Sequence, residues 1–339
     1  MLKAFVKLLS QDNMRIDRYK IEGLHDQFTF EGKLDENVNI LVGNNGSFKS
    51  TLLYILYYML QSKNLHGVYN IKNAQIHFDE KEQMLAYRSF EGSFADFQEK
   101  AKTESSIAEA VEKIQKKLST DQIQNVVIGM EQYGYSHNEK ASTEEEFKKL
   151  IKTDFISTFD IKAKTEDDKH TLLDNMLDKL QSEYSFYLSN LAKQMTDVIN
   201  KEGSISKEEL SKINCQKDMM LRFVNESFAK TGKEIVPDQG KMMFRFENGN
   251  TIDSYALSAG EKQLLIILLT VLLEKNQKYV VFLDEPEISL HIDWQYKLIE
   301  MMTQLNPNAQ FVLTTHSPGI FADGWGDKIV YMDKITYSV

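Results

Sequence analysis

The spacing of apolar and polar residues predicts strands and helices that alternate near both ends of the chain. Residues 15–42 predict a strand, a turn and a strand, and the last part reads NVNILVG. There Val38, Ile40 and Val42 alternate while Leu41 is also apolar, which is typical of a strand buried on both faces. The segment STLLYILYYMLQ that follows the loop predicts a helix. A strand, a glycine-containing loop and a helix therefore succeed one another directly.

The middle of the chain has a different pattern. From about 100 to 235 it is rich in Lys, Glu, Asp, Ser and Gln and poor in Gly and Pro. The segments SSIAEAVEKIQKKL and LLDNMLDKLQSEYSFYLSNLAKQMTDVI place apolar residues at helical spacing, and a strand-like stretch, DFISTFDI (154–161), interrupts them. We interpret this region as a helical insertion or lid. Before it, AQIHFDE and MLAYRSFEG predict strands at a sheet edge.

From residue 241 strands and helices alternate again. A hairpin with its turn at Asn248–Gly249 is followed by an apolar helix over 261–274, the strand YVVFLDE, a helix over 291–304 and the strands QFVLTTH and KIVYMD. Such alternation predicts an α/β fold with a largely parallel, mixed central sheet. The predicted domains are an N-terminal lobe (1–100), a helical insertion (101–240) and a C-terminal lobe (241–339).

Cysteine content and the length of apolar runs indicate the compartment in which the protein works. The single cysteine, Cys215, excludes a disulfide framework and a thiolate zinc site, and it is typical of a reducing cytoplasm. The longest apolar run, 264–273, is about half of the ~20 residues that a membrane-spanning helix needs. The N-terminus reaches charged residues too early for a secretory signal. We therefore expect a cytoplasmic protein without a membrane segment.

The net charge of −10 gives no support for nucleic-acid binding, which usually requires a basic stripe. A local basic patch stays open as an alternative. The lysine pairs at 116–117 and 148–149 fit solvated helix faces better.

The loop GNNGSFKST (43–51) carries the first candidate chemistry. Its backbone N–H groups and the positive N-terminus of the next helix predict a cradle for the phosphates of a nucleotide. We expect Lys49 to contact the β- and γ-phosphates, Ser50 to bind Mg²⁺ and Thr51 to add a phosphate contact. The predicted nucleotide-binding residues of the loop are Gly43, Asn44, Asn45, Gly46, Ser47, Phe48, Lys49, Ser50 and Thr51.

Phe48 departs from the usual pattern G-x-x-x-x-G-K-[ST], which has glycine directly before the lysine. Phenylalanine still offers a backbone N–H, but its Cβ restricts the backbone and its ring crowds the phosphates. Either the ring swings outward or nucleotide binding is weakened, and turnover is then slow.

The segment VVFLDEPE (280–287) predicts a central strand that ends in two carboxylates. We expect Asp284 to complete the Mg²⁺ shell, directly or through water, and Glu285 to act as the general base on the attacking water. The alternative is an acidic strand end that caps the next helix. Burial of the strand favours the catalytic interpretation.

The segment LSAGEKQ (257–263) begins the apolar helix. Ser258 and the N–H of Gly260 lie at a helix N-terminus, a place that binds anions. Because each chain's own loop already fills its phosphate site, we expect this N-terminus to bind the γ-phosphate of a partner chain. Ser258 with Glu261 also fits a capping box, and both interpretations can hold at once.

Two further segments follow. His316, after the strand FVLTT, is positioned to hydrogen-bond the γ-phosphate and to hold the geometry that activates water. Asp293 and its neighbours in SLHIDWQ (289–295) are expected at a dimer seam, with His291 and Trp294 serving in packing.

Together, in this order, the five segments resemble the motifs of ABC-class P-loop ATPases: Walker A, signature, Walker B, D-loop and H-loop. DEPEISLH and TTHSP are similar to the soluble RecF/SMC/OLD-like branch. FISTFDI and a later tyrosine-containing helix resemble, less specifically, the inserts of small bacterial AAA/ABC-type ATPases of anti-phage systems such as the PtuA-like proteins. The resemblance implies an ABC-type head, ATP and Mg²⁺ as cofactors, and a homodimer or higher oligomer formed around ATP.

Three functions follow from the resemblance and the charge. The first is an ATPase that regulates a separate effector, a nuclease or toxin, in an anti-phage complex, because the chain ends about twenty residues after TTHSP and leaves no room for a nuclease domain. The second is a RecF/SMC-like DNA-repair ATPase, which the acidic charge disfavours. The third is a nucleotide-gated scaffold with weak hydrolysis, which Phe48 favours.

Overall fold

The computed structural model describes residues 15–63, 65, 69–78, 83–93, 127–137, 140–142, 151–157, 171–236 and 241–338, together with isolated residues between 98 and 145. The chain forms two compact units. The parallel-sheet unit comprises Met1–Arg15, Asp35–Leu53 and Ile151–Met332, and the antiparallel-sheet unit comprises Ile16–Leu34, Tyr54–Leu150 and Asp333–Val339.

The strands and helices are bounded as follows. The strands are β1 (Ile16–Leu24), β2 (Phe28–Lys33), β3 (Val38–Val42), β4 (Asn73–Phe78), β5 (Gln83–Ser93), β6 (Val127–His137), β7 (Lys140–Ser142), β8 (Thr153–Ser157), β9 (Lys233–Val236), β10 (Met243–Phe246), β11 (Thr251–Asp253), β12 (Val280–Asp284), β13 (Gln310–Thr314), β14 (Ile329–Tyr331) and β15 (Thr336–Ser338). The helices are α1 (Lys49–Leu60), α2 (Leu172–Glu202), α3 (Lys207–Phe228), α4 (Ala259–Leu273), α5 (Ile292–Leu305) and α6 (Met332–Ile335).

A parallel sheet forms the centre of the parallel-sheet unit. Among the described residues its strand order is β14-β3-β13-β12-β8, and every neighbouring pair is parallel. All residues of β12 and β13 are buried. Because parallel strands end at the same edge of a sheet, the loops that follow β3, β12 and β13 are brought together there. The predicted α/β fold with a largely parallel central sheet is confirmed.

Helix α4 is the most buried helix of this unit, with its residues from Gly260 to Leu269 all buried. Its apolar sequence therefore reflects burial on every side, as predicted for the run at 264–273. Helices α2, α3 and α5 pack against it. Capping boxes begin three of the helices, at Thr171 for α2, Ser206 for α3 and Ser258 for α4.

A small antiparallel sheet, β11-β10-β9, lies in the same unit. The predicted hairpin turn at Asn248–Gly249 joins β10 to β11. Gly249 has φ +86°, which a glycine adopts without strain, and the N–H of Asn250 donates to the Asn248 side chain at 3.0 Å. This prediction is confirmed.

The antiparallel-sheet unit contains, in its described part, the strand order β15-β2-β1-β4-β5-β6-β7. All its neighbouring pairs are antiparallel. Strands β1, β2, β4 and β5 correspond to the strand segments that the sequence predicts between residues 15 and 100.

The interpretation of residues 101–240 as helical needs a correction. Strands β6 and β7 lie inside this region and extend the antiparallel sheet. The sequence VIGMEQYGYSH of β6 contains aromatic and β-branched residues that favour strands, but the charged segments on either side obscured this signal. Strand β8, at the place of the strand-like stretch DFISTFDI, pairs with β12 in the central sheet.

Helices α2 and α3 match the helical part of the prediction. The rest of DFISTFDI, and most of the predicted helix at 105–118, lies outside the described residues. The predicted domain boundaries at residues 100 and 240 stay a prediction. Within the described part of the chain, no helix combines the length and apolar character that crossing a membrane requires.

Candidate nucleotide site

The glycine-containing loop leads from β3 into α1, and Lys49 begins the helix. The Lys49 ammonium donates to the carbonyl oxygens of Gly43 at 3.0 Å and Asn44 at 3.2 Å. It lies 2.7 Å from Nε2 of His316, which follows β13. The loop is therefore curled around its own lysine, whose residue is only 5% exposed.

Burial lowers the pKa of Lys49, and the nearby carboxylates of Glu285, Asp284 and Glu287 oppose that effect. A cation held in this way is suited to contact with an anion, because bringing a phosphate to it replaces the lost hydration.

Two residues of the loop have left-handed backbone conformations. Gly46 has φ +78° and Phe48 has φ +65°. The second value explains why loops of this pattern carry glycine before the lysine, since a side chain makes this conformation unfavourable by about 1–2 kcal/mol. Phe48 thus adopts the backbone conformation expected of glycine and keeps the strain.

The other loop residues divide into exposed and packed ones. Asn44, Asn45 and Gly46 are exposed, whereas Gly43 and Ser47 are partly buried. A Cβ on Gly43 would lie 2.6 Å from Oγ of Ser47, so the loop excludes a side chain there. The Ser47 hydroxyl is buried and has no hydrogen-bond partner within the described chain.

Asp284 lies at the end of β12 and connects two neighbouring segments. Its Oδ1 accepts hydrogen bonds from Ser50 Oγ and from Thr314 Oγ1, both at 2.7 Å. The carboxylate is 1% exposed. Thr51, the next residue of α1, is partly buried.

The pair of Ser50 and Asp284 suits Mg²⁺ in chemistry, because both offer hard oxygen ligands that already lie together. Among the described residues, no three His, Cys, Asp or Glu side chains are grouped closely enough to hold a metal ion alone. A magnesium ion here would therefore need phosphate and water oxygens to complete its shell, as is usual for this ion.

Glu285 follows Asp284 with a left-handed backbone, φ +48°. Its N–H donates to Thr314, at 3.0 Å to the side-chain oxygen and 3.2 Å to the carbonyl oxygen. Its carboxylate lies 3.4 Å from Nε2 of His316. The strained conformation thus turns this carboxylate towards the histidine, and the side chain stays 24% exposed.

Glu287 holds the turn that carries His316. Its Oε1 accepts from Thr315 Oγ1 at 2.5 Å, from the N–H of His316 at 2.9 Å and from the N–H of Ser317 at 3.2 Å. Glu287 is 8% exposed. A carboxylate that accepts two backbone N–H groups fixes the backbone on which the histidine stands.

The predicted anion site at the start of α4 forms a separate cluster. Ser258 is exposed, and the capping box with Glu261 is present as predicted. The Glu261 carboxylate also accepts from Thr231 at 2.9 Å and pairs with Lys233 at 2.7 Å. Burial would raise the pKa of Glu261, but Lys233 and the capping bonds outweigh it and keep the pKa below its usual range. Glu261 is therefore committed to contacts within its own chain.

Gly260 lies against the segment after β12. A Cβ there would lie 2.2 Å from the carbonyl oxygen of Ser289, a residue whose φ is +70°. Only glycine permits this approach, which fixes the start of α4 against the turn that follows Asp284 and Glu285.

The segment SLHIDWQ begins α5. Asp293 pairs with Lys230, which lowers the pKa of the Asp293 carboxyl. Trp294 packs against Phe228, with ring centroids 5.8 Å apart, in agreement with the packing role predicted for it. Gln295 links the same helix to the turn after β13, since it accepts from Ser317 Oγ at 2.6 Å. The position of Asp293 at a dimer seam stays a prediction.

The structure thus brings Lys49, Ser50, Asp284, Glu285 and His316 together from three separate parts of the chain. No hydrogen bond or ion pair in the described residues joins Ser258 or Glu261 to the loop 43–51. The sequence analysis missed Thr314, Glu287 and Gln295, although all three lie within the segments it quoted. Their polar character beside predicted catalytic residues was the available signal.

Comparison with known proteins shows a family match over about two thirds of the chain. The model of the family described as "AAA domain, putative AbiEii toxin, Type IV TA system" matches residues 93–322. The Retron Vc95 probable ATPase of Vibrio cholerae serotype O1 biovar El Tor is 24% identical over 374 aligned residues, which cover 89% of this chain and 70% of the relative. The Retron Ec83 probable ATPase of Escherichia coli is 25% identical over 198 residues, or 51% of this chain and 35% of the relative.

Solved structures with a similar fold include SMC heads. An SMC head bound to the C-winged helix domain of ScpA is 15% identical, with a TM-score of 0.49 over 96% of this chain and 97% of that one. The SMC head domain from Thermotoga maritima is 12% identical, with a TM-score of 0.43 over 91% and 92% of the two chains. The family match and the retron relatives confirm the predicted kinship with P-loop ATPases of the RecF/SMC/OLD-like branch.

Proposed function

This chain belongs to the family described as "AAA domain, putative AbiEii toxin, Type IV TA system", and we propose that it binds and hydrolyses ATP with Mg²⁺. One observation carries the proposal. Lys49 lies 2.7 Å from His316, and Glu285 lies 3.4 Å from the same histidine nitrogen. A cation, a proton carrier and a carboxylate therefore meet beside the Ser50–Asp284 pair.

Each residue has a role that follows from its contacts. Lys49 leaves its loop carbonyls to bind the β- and γ-phosphates, while Ser50 and Asp284 hold Mg²⁺, which neutralises charge on the phosphates. Glu285 accepts the proton of the attacking water, and His316 positions the γ-phosphate and Glu285 relative to one another. Thr314 accepts a hydrogen bond from the N–H of Glu285, and Glu287 accepts one from the N–H of His316. These bonds keep the side chains of Glu285 and His316 in place.

The second half of each site comes from another copy of the chain. Support comes from Ser258, which is exposed at the N-terminus of a 15-residue helix and, in the part of the chain that the structure describes, has no hydrogen bond to its own phosphate loop. A helix N-terminus stabilises an anion by about 0.3–1 kcal/mol, so it contributes to binding only if a phosphate reaches it. Two chains bound head to tail around two ATP molecules meet that condition.

The biological role that we propose is control of a separate effector, a nuclease or toxin, in an anti-phage defence complex. The names of two relatives, both probable ATPases of retrons, support a defence context, and the family description names a toxin–antitoxin system. The net charge of −10 favours a protein partner over direct binding to DNA, which is the second role that the sequence left open.

The test measures the rate of ATP hydrolysis together with the molecular mass in solution. ATP hydrolysis and light scattering are measured on the wild type, Glu285→Gln and the control Glu247→Gln, which changes an exposed carboxylate in the β10–β11 turn. We expect Glu285→Gln to bind ATP, to hydrolyse it at least about 100-fold more slowly and to accumulate as a dimer or larger species. Normal turnover by Glu285→Gln would refute its role as the base, and a monomer at saturating ATP would refute the composite site.

A nucleotide-gated scaffold is the second candidate, and the strained backbone of Phe48 favours it. In that case ATP binding would hold an assembly together with little hydrolysis. The same experiment separates the two, because a scaffold would form the ATP-dependent dimer as readily in the wild type as in Glu285→Gln.

A further inference from the structure

A cavity of about 300 Å³ lies in the parallel-sheet unit, away from the residues of the candidate nucleotide site. Strand β8, helix α2 and the C-terminal end of α4 line it, and it is open to solvent on the side of Lys179 and Glu183. Its charged lining residues are Asp154, Lys179, Glu183 and Glu274, and Tyr279 adds a phenol. Three carboxyl groups against one lysine give the cavity an acidic lining. Apolar side chains such as Leu180 and Leu273 form the rest of the wall.

Glu274 is the feature that points to a ligand. The residue is 2% exposed, and its Oε2 accepts from the Asn306 amide at 2.6 Å. Its other oxygen, Oε1, is buried and has no hydrogen-bond partner in the described chain. A buried carboxyl oxygen without a partner is unfavourable, so a group that donates a hydrogen bond to it would be bound favourably.

The surroundings of Glu274 favour a positive charge. Glu274 caps the C-terminus of α4, where unpaired carbonyl groups carry partial negative charge. Burial raises the pKa of Asp154 to about 6, with a smaller contribution from Glu183 that Lys179 opposes. Burial also raises the pKa of Glu274 well above its ordinary value, against its bond from Asn306, and Asp154 adds to the rise. Each of these two acids therefore holds its proton to a higher pH than an exposed carboxyl group does, and a bound cation would favour the ionised form.

The lining distinguishes between cations. In the described part of the chain, these carboxylates do not form a group of three or more metal-ligating side chains that could hold a metal ion. The volume is at the lower end of the range for small-molecule sites, and apolar walls suit methylene groups. We propose that this cavity binds a small aliphatic amine, whose ammonium group donates to Glu274 Oε1 and pairs with Asp154 while its carbon chain packs on Leu180 and Leu273.

The test uses 1,4-diaminobutane as the probe and isothermal titration calorimetry on the full chain without nucleotide, so that its outcome does not depend on ATP hydrolysis. 1,4-Butanediol is the uncharged control of similar length. We expect saturable binding of the diamine with a stoichiometry of one and no binding of the diol. The titratable groups of the cavity are Asp154, Glu183, Glu274, Lys179 and Tyr279. At pH 6.5 we expect binding to release protons from Asp154 and Glu274, whose pKa values are raised, so the measured heat should vary with the ionisation enthalpy of the buffer.

Variants assign the binding to this cavity. Glu274→Gln and Asp154→Asn replace the two acids by neutral groups of the same shape, and we expect each to weaken diamine binding by about tenfold or more. Glu247→Gln, which removes an exposed carboxylate elsewhere, should bind like the wild type. Absence of binding to the wild type would overturn the proposal. Equal binding of the diol, or equal affinity in all three variants, would overturn it as well.

Discussion

Two residues of the candidate site, Phe48 and Glu285, hold left-handed backbone conformations that few side chains adopt. The backbone strain has a different structural cause at each residue. At Glu285 two bonds to Thr314 fix the conformation, and it directs a carboxylate towards His316. At Phe48 the conformation belongs to the phosphate loop itself, and glycine would adopt it without strain.

Replacing Phe48 separates the effect of the backbone from that of the ring. We expect Phe48→Gly to raise kcat/KM for ATP, because the loop then reaches the phosphate-binding conformation without a steric cost of about 1–2 kcal/mol. Phe48→Ala removes the ring but keeps a Cβ. If the backbone limits activity, alanine should give little of the gain. If the ring limits it, the two variants should match, and unchanged kinetics in both would contradict the prediction.

Glu287 shows how one buried carboxylate fixes the position of a neighbouring residue. We expect Glu287→Ala to destabilise the fold by about 2–4 kcal/mol, because the hydroxyl of Thr315 and the N–H of His316 lose this acceptor, while the N–H of Ser317 keeps its bond to Thr315 Oγ1. Glu287→Gln retains an acceptor oxygen, so its free energy of unfolding should fall by less. Urea unfolding and ATP turnover, measured on both variants, check this. Equal losses would mean that the charge of Glu287 matters rather than its hydrogen bonds.

At the scale of elements, the start of α4 and the turn after β12 are joined by a contact that excludes any side chain. The carbonyl of Ser289 occupies the place of a Cβ at Gly260. Ser258 lies two residues before Gly260, and Glu285 lies four residues before Ser289. This contact therefore joins the helix start that carries Ser258 to the turn that carries Glu285, the proposed base.

Gly260→Ala tests this contact. We expect a loss of about 1–3 kcal/mol in the free energy of unfolding, since the methyl group must displace the backbone of Ser289. Gly326→Ala is the matched control, because a Cβ there meets no atom within 4 Å and the backbone is not left-handed. Thermal unfolding of both variants measures the difference. A Gly260→Ala protein as stable as the control would show that the turn yields without cost.

Sequence patterns predicted most of the elements that carry the site, because β12 and β13 are short apolar runs bounded by polar residues. They did not predict β6, whose strand-favouring residues lie among charged segments typical of helices. They also could not assign β8 to the central sheet, since a parallel strand pairs with residues more than a hundred positions away. Similarly, Lys49 and His316 are 267 positions apart, so their contact follows from the fold and from no local signal.

At the scale of the whole molecule, the parallel-sheet unit contains both the residues that converge on Lys49 and the separate cluster at Ser258. The family match covers 93–322 and so includes the segments 257–263, 280–287 and 313–318 but not the loop 43–51. The proposed pairing of one chain's loop with another chain's Ser258 accounts for a helix N-terminus that, among the described residues, has no hydrogen bond to its own loop.

Mixing two inactive variants tests whether the site is composite. Lys49→Ala removes the phosphate-binding cation. Ser258→Asp keeps a residue that caps helices but places a negative charge where the partner's phosphate is expected, and Ser258→Asn is the neutral control that should retain activity. In an equal mixture about half of the dimers combine the two inactive variants, and each of these has one intact site, so turnover should recover to about a quarter of the wild type. If Ser258 acts within its own chain, the mixture will stay as inactive as its components, and the head-to-tail arrangement must be abandoned.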